Sequence, residues 1–329
     1  MRRVMMGLAG VMIGCTGDAG MGPRRPLFPD TPSAKVYPPS SYSVSSLFPG
    51  QQSVATAVND LNQVAGHVGG SAFLRESNGT VYLLPLNGAA WATATDITAH
   101  GVVSGAVQRN GVSFPAVWIR PNAPAIELSR PGGVHAINDR LEAVGRFDRK
   151  GFPLPMYWDV RSGASYFLPV PAGTTQGFAN DINNDRIIVG EVDGRGATWR
   201  WNGTTWVFTS LNGIRAWGVD AGYGTVGTTA FGQAVFGSPD STGVFPTVGL
   251  STAWDTNGRG VATGEDWNLT TNRMDAWVGD RNGNFSILPF PSGSTAFQGS
   301  GRAVNTCGLV VGFIAWGAIQ EAVMWDPGC

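Results

Sequence analysis

Ala179-Asn180-Asp181-Ile182-Asn183-Asn184-Asp185-Arg186-Ile187-Ile188-Val189-Gly190 is the stretch that decides the fold, because its skeleton recurs along the chain. An apolar residue is followed by Asn or a stand-in, and Gly stands seven positions further on. The pairs are Asn59/Gly66, Thr98/Gly105, Asn138/Gly145, Asn183/Gly190, Asp220/Gly227, Asn257/Gly264 and Asn305/Gly312, with Thr256 in the apolar slot of the sixth copy. Successive glycines lie 37 to 48 residues apart. A fixed internal spacing repeated at that period suits the four-stranded blade of a β-propeller.

Working outward from the first copy gives the unit. Val54 to Val58 is one run, Asn59-Asp60-Leu61-Asn62 is a turn of residues that bond their own backbone, and Gln63 to Val68 is a second run. Gly69-Gly70 turns the chain into Ser71 to Glu76, and Asn78-Gly79, read as a type I′ hairpin, leads to Val81 to Leu86. The last turn recurs as Ser162-Gly163, Asn202-Gly203 and Asn282-Gly283.

Two further columns belong to the same unit. Every third strand carries an aromatic residue (Phe73, Trp118, Trp158, Trp199, Phe236, Trp277 and Trp325), which is expected to pack between blades. Four residues before each motif Asn, or its stand-in, stand Ala55, Ala94, Val134, Ala179, Ala216, Ala253 and Gly301, as crowding around a central axis demands. The motif Gly is expected beside them, permitting close backbone approach.

The seventh copy stops after its third strand, and Tyr42 to Phe48 is an orphan strand ahead of the first. The expected fold is therefore all-β, a seven-bladed propeller of four-stranded blades, closed by residues 42–48 completing blade 7. Closure of this kind removes both exposed sheet edges.

The pattern Ala-x-x-Ile-Asn-Asp…Val-x-Gly…Ala-x-x-Trp, clearest at Ala136 to Asp139 and Ala179 to Gly190, resembles the HAF repeat of probable extracellular bacterial proteins. The resemblance spans residues 54–326 and implies a location and a fold without implying a reaction.

The N-terminus agrees with that location. Met1-Arg2-Arg3 is a basic segment and Val4 to Ile13 an apolar one, too short to cross a bilayer. It ends in Met12-Ile13-Gly14-Cys15, which resembles a bacterial lipobox and implies a signal peptide over 1–14 and lipidation of Cys15. Ordinary secretory cleavage and an uncleaved apolar tail are the alternatives. Residues 15–41 are rich in Pro and read as a semi-extended tether. Thr16 after Cys15, in place of Asp, points by the same resemblance to the outer membrane or cell surface. Removing Cys15 leaves Cys307 and Cys329, one candidate disulfide in an oxidising compartment, each placed at a turn on the same side of blade 7.

Composition narrows the function. Charged residues make up 14% of the chain, net charge is −1, and no basic cluster exists, which argues against nucleic acid. The histidines, His67, His100 and His135, lack partners at metal-ligand spacing, and neither a nucleophile elbow nor a phosphate loop occurs. No cofactor is expected, with one exception considered. Asp96, Asp181 and Asp255 share one motif position in blades 2, 4 and 6; they either fix their turns through backbone N–H groups or form a channel ring for Ca²⁺. One residue beyond the motif glycines stand His67, Arg146, Glu191 and Glu265; Arg146 and Glu191, in adjacent blades, suggest an inter-blade ion pair, with a substrate-gripping role for the four as the alternative.

Loop length varies on the face opposite the fixed Asn turns, which marks that face as the binding side. It is expected to carry Arg109, Arg149, Lys150, Asp266, Trp267 and Trp316 from the strand 2–3 loops. Trp91, Phe178, Trp217, Trp254 and Phe297 are expected on or near the strand 4–1 connections. Aromatics with a few charges suit a glycan or another envelope protein. The expected function is thus an extracytoplasmic, membrane-anchored binding or scaffold propeller. An enzyme acting on an extracellular polymer through carboxylates such as Glu191 and Glu265, and a purely structural surface protein, are the alternatives.

Overall fold

In the computed structural model, the described residues are 41–328 without 149–151, 212, 223 and 239–240. The expected signal peptide, Cys15 and most of the tether lie outside them. Among the described residues no helix forms; the chain runs through 28 strands. Five sheets are separate four-stranded meanders, and the sixth joins two more such units through one parallel bridge, Met274 with Gln298. Seven four-stranded blades result.

The first strands, Ser53–Val58, Trp91–Ile97, Gly132–Ile137, Gly177–Ile182, Ile214–Val219, Leu250–Thr256 and Gln298–Val304, each contact the first strand of the next blade. The last of them contacts the first, so the ring closes. Residues Ser43–Ser46 form the predicted closing strand and pair antiparallel with the third strand of blade 7, Ser43 opposite Asp326 and Ser46 opposite Val323.

The motif Asn performs two tasks at once. Asn183 Oδ1 accepts the N–H groups of Asp185 and Ile187, both at 3.0 Å, which shapes the strand 1–2 turn. Its Nδ2 donates to the Asp220 carbonyl of the next blade at 2.9 Å. The same inter-blade bond runs from Asn59 to Thr98, Asn138 to Asn183, Asn257 to Asn305, and Asn305 back to Asn59. Thr98 and Asp220 keep the turn bonds through oxygen acceptors but have no amide to donate. Each buried bond contributes about 1 kcal/mol, and leaving its carbonyl unpaired costs about 1–3 kcal/mol.

The motif Gly meets its expectation in every blade. A Cβ there would collide with the carbonyl oxygen of the residue preceding its cross-strand partner, from Val54 at Gly66 to Ser300 at Gly312. Between blades, Trp118, Trp158, Trp199, Trp277 and Trp325 are fully buried, each worth roughly 1.5–3 kcal/mol of apolar burial. Four of these donate Nε1–H to the outer edge of the preceding blade, at Pro85, Ser129, Pro169 and Pro289.

One turn differs from expectation. At Asn78-Gly79 only Gly79 has positive φ, and Glu76 N–H bonds the Thr80 carbonyl, so three residues are enclosed rather than two. A type I′ turn needs positive φ at both central residues. The loop is instead a type I turn followed by a left-handed glycine.

Candidate functional site

Each first strand bulges at one place. The register slips between the small residue four before the motif Asn position and the residue two before it, in every blade. The extra residues are Thr56, Thr95, His135, Asn180, Trp217, Trp254 and Arg302, and all seven are half-buried. A bulge re-aims a side chain out of the ladder. Six of the seven line one axial cavity of about 270 Å³: Thr56, His135, Asn180, Trp217, Trp254 and Arg302.

This tier divides into two arcs. In blades 1 to 4 the bulge residue bonds the next blade's first strand. Thr56 Oγ1 donates to Ala94, Thr95 Oγ1 to Val134, His135 Nδ1 to Ala179 and Asn180 Nδ2 to Ala216, at 2.8–3.0 Å. Because a carbonyl only accepts, His135 carries its proton on Nδ1. Burial, and then Arg146, hold the imidazole down to about 4, so it is neutral at pH 7. In blades 5 to 7 the pattern stops. Trp217 and Trp254 stand 5.1 Å apart with planes at 54°, and neither buried indole N–H has a partner. The Arg302 guanidinium lies 4.4 Å over Trp254 and 5.2 Å over Phe313, with Glu265 at 3.6 Å. Burial pulls the Arg302 pKa below its ordinary value, and Glu265 opposes this.

Above this tier the Asn turns surround a second axial cavity of about 270 Å³. Here the three aspartates act as clamps. Asp96 accepts the N–H groups of Ile97 and Ile137, Asp181 those of Ile182 and Val219, and Asp255 those of Thr256 and Val304, at 2.7–2.9 Å. Each carboxylate therefore ties its own strand to the next blade. Desolvation, and for Asp96 and Asp255 repulsion among the three, raises them to about 7, 6 and 8. Among the described residues no group of three or more His, Cys, Asp or Glu gathers closely enough to hold a metal ion.

The residues expected on the variable face are distributed unevenly. Trp217 and Trp254 occupy bulges inside the first strands, not the strand 4–1 connections. Phe178 lies just below the bulge tier, stacked on His135 at 6.4 Å and 19°. Trp91 begins its strand 6.5 Å from His67, and Trp267 and Trp316 are half-buried near the ends of second strands. Arg109 is tied to Glu127 in an ion pair. Phe297 is exposed. Asp266 is not a surface group: it is buried and accepts the Val248 and Gly249 N–H groups, fixing the connection that leads into blade 6. Arg149 and Lys150 lie outside the described residues, as does Cys329; Cys307 sits in the strand 1–2 turn of blade 7 as expected.

The expected Arg146–Glu191 pair is replaced by two others. Arg146 reaches Asp148 at 2.8 Å, and Glu191 faces Arg215 of the next blade at 3.7 Å. Asn180 and Arg302 belong to no motif of the sequence, and His135 is weighed there only as a metal ligand. The signal existed: buried residues at both four and one before the Asn position break strand alternation and imply a bulge between them.

No protein-family model and no curated protein matches the sequence. Among solved structures, virginiamycin B lyase from Staphylococcus aureus is similar over 87% of this chain and 99% of its own, with TM-score 0.61 and 10% identity. An acylaminoacyl peptidase from Pyrococcus horikoshii is similar over 84% of this chain and 51% of its own, with TM-score 0.55 and 9% identity. At such identities the likeness concerns the fold, and the chain is a β-propeller.

Proposed function

We propose that the protein is an extracytoplasmic binding propeller, lipid-anchored through Cys15, whose ligand is a glycan or another envelope protein. The observation that carries the reading is the break in the bulge tier. Four blades spend their bulge side chains on the neighbouring backbone, whereas Trp217, Trp254 and Arg302 leave an aromatic and cationic arc facing an axial cavity. Amphipathic rings and a guanidinium are the groups that dominate recognition surfaces. The resemblance of the repeat to extracellular bacterial proteins and the lipobox-like N-terminus support the same address, where Cys307 and Cys329 are proposed to pair.

Catalysis fits less well. Glu191 and Glu265 belong to separate blades, and each faces an arginine of the following blade. Paired acids of a glycosidase need to converge across one bond.

Thermal melting of the full chain with cell-wall fragments, exopolysaccharide fragments and Ca²⁺ tests the reading. A ligand at 100 times its dissociation constant adds about 2.7 kcal/mol. A glycan shift that Trp254→Ala reduces is the expected result. A shift with Ca²⁺ alone, or a glycan shift that Trp254→Ala and Arg302→Ala leave undiminished, would contradict the axial site.

A further inference from the structure

Away from the axis, the seam between blades 3 and 4 holds a further cavity, of about 500 Å³, on the outer part of the face that bears the Asn turns. Blade 3 contributes its third and fourth strands, Leu154–Asp159 and Ser165–Phe167, and blade 4 contributes Arg195–Trp201 and Trp206–Leu211. Four rings run unbroken across the seam. Tyr166 to Tyr157 is 6.2 Å, Tyr157 to Trp206 is 5.2 Å, and Trp206 to Trp201 is 5.5 Å between centroids.

The two central rings are buried and form a floor, while Tyr166 is 56% exposed and Trp201 half-buried, giving two walls. Beside them Glu142 is held by two polar bonds, from Asn138 Nδ2 at 2.9 Å and from Arg186 Nε at 2.6 Å. The geometry is therefore set before any ligand arrives.

We propose that this groove binds one pyranose unit of a polysaccharide. The apolar C–H face of a sugar ring matches an aromatic wall, and its hydroxyl edge matches the polar rim, which carries Asp159 and Arg186. The volume lies within the roughly 300–1,000 Å³ of small-molecule sites. An aromatic cage of this size also suits a quaternary ammonium in principle. Arg186 decides against it, because its guanidinium already stands 6.0 Å over Trp201 and repels a second cation. The groove shares no residue with the axial cavity, so the two sites fail or succeed separately.

Isothermal titration of the full chain with hexasaccharides of β-1,4-glucan, β-1,4-N-acetylglucosamine and α-1,4-galacturonate tests the proposal, with choline as the competing probe. At least one hexasaccharide binds; Trp201→Ala and Tyr166→Ala each weaken it about tenfold, the loss of one ring contact. Trp201→Phe retains most of the affinity, and Phe231→Ala, an exposed ring of blade 5 that lines neither cavity, leaves it unchanged. If Trp201→Ala lowers the melting temperature, Tyr166→Ala decides, since that ring is largely exposed. The proposal is overturned if no hexasaccharide binds at about 10 mM, where even millimolar affinity registers. It is equally overturned if choline binds in their place, or if Trp254→Ala abolishes binding that Trp201→Ala and Tyr166→Ala spare.

Discussion

Two tiers of the same seven strands, three residues apart, use their polar atoms in opposite ways. At the Asn tier nearly every side chain closes a bond to its own turn and to the next blade, and where Thr98 or Asp220 replaces Asn the turn survives. At the bulge tier four blades follow an equivalent rule and three abandon it. A ring closed by repetition must keep one tier uniform, and it can then vary the other. The difference separates what holds the propeller together from what the propeller presents.

The uniform tier should be the fragile one. Gly190→Ala places a Cβ against the Phe178 carbonyl and is expected to cost about 3 kcal/mol, the upper range for overpacking, read as a lowered denaturant midpoint. Asn183→Asp keeps the oxygen that accepts both turn bonds, removes the donor to the Asp220 carbonyl and brings a charge into the ring; a loss of about 2 kcal/mol is expected. The reverse change, Asp220→Asn, supplies the missing donor toward blade 6 and is expected to stabilise by about 1 kcal/mol in the same melt. If Asp220→Asn destabilises instead, the Asn turn and the inter-blade bond are not separable tasks.

Acidity sharpens the comparison. Asp96, Asp181 and Asp255 are raised to about 7, 6 and 8, above the carboxylate reference of 3.8. The folded ring holds protons that the unfolded chain releases, so their contribution to stability is full below about pH 4 and declines as pH rises through 6 to 8. Melting at pH 5 and pH 8.5 should show the lower midpoint at the higher pH from these groups, and Asp255→Asn should narrow the gap. A gap that widens would place the clamps in the ionised form. The smallest effect belongs to the variable arc: Trp217→Ala, in a half-buried bulge with an unpaired N–H, is expected to shift stability by about 1 kcal/mol or less.

The sequence reading reached the architecture through the repeat. Asn at one place and Gly seven further on are physical requirements of the same hairpin, one for its turn and one for its strand approach, and so they recur. The closing strand was legible because blade 7 lacked a fourth run. The bulge residues were harder to see, since Thr, Thr, His, Asn, Trp, Trp and Arg share no chemistry. Trp217 and Trp254 drew notice as aromatics, but their position rested on a slip of register. Asp266 was misplaced because an acidic residue near a long loop reads as surface until the backbone N–H groups it serves are seen. The groove between Tyr166 and Trp201 lies in the outer strands, where the repeat imposes least.

The most direct test of the central claim is a ¹⁵N-indole NMR titration of the full chain with the glycan that gives the largest thermal shift, signals assigned through Trp217→Phe and Trp254→Phe. The account predicts that the Trp217 and Trp254 indole signals move together along one binding isotherm, while the buried Trp118 and Trp158 signals stay in place. Saturable binding that leaves both Trp217 and Trp254 unmoved would contradict it.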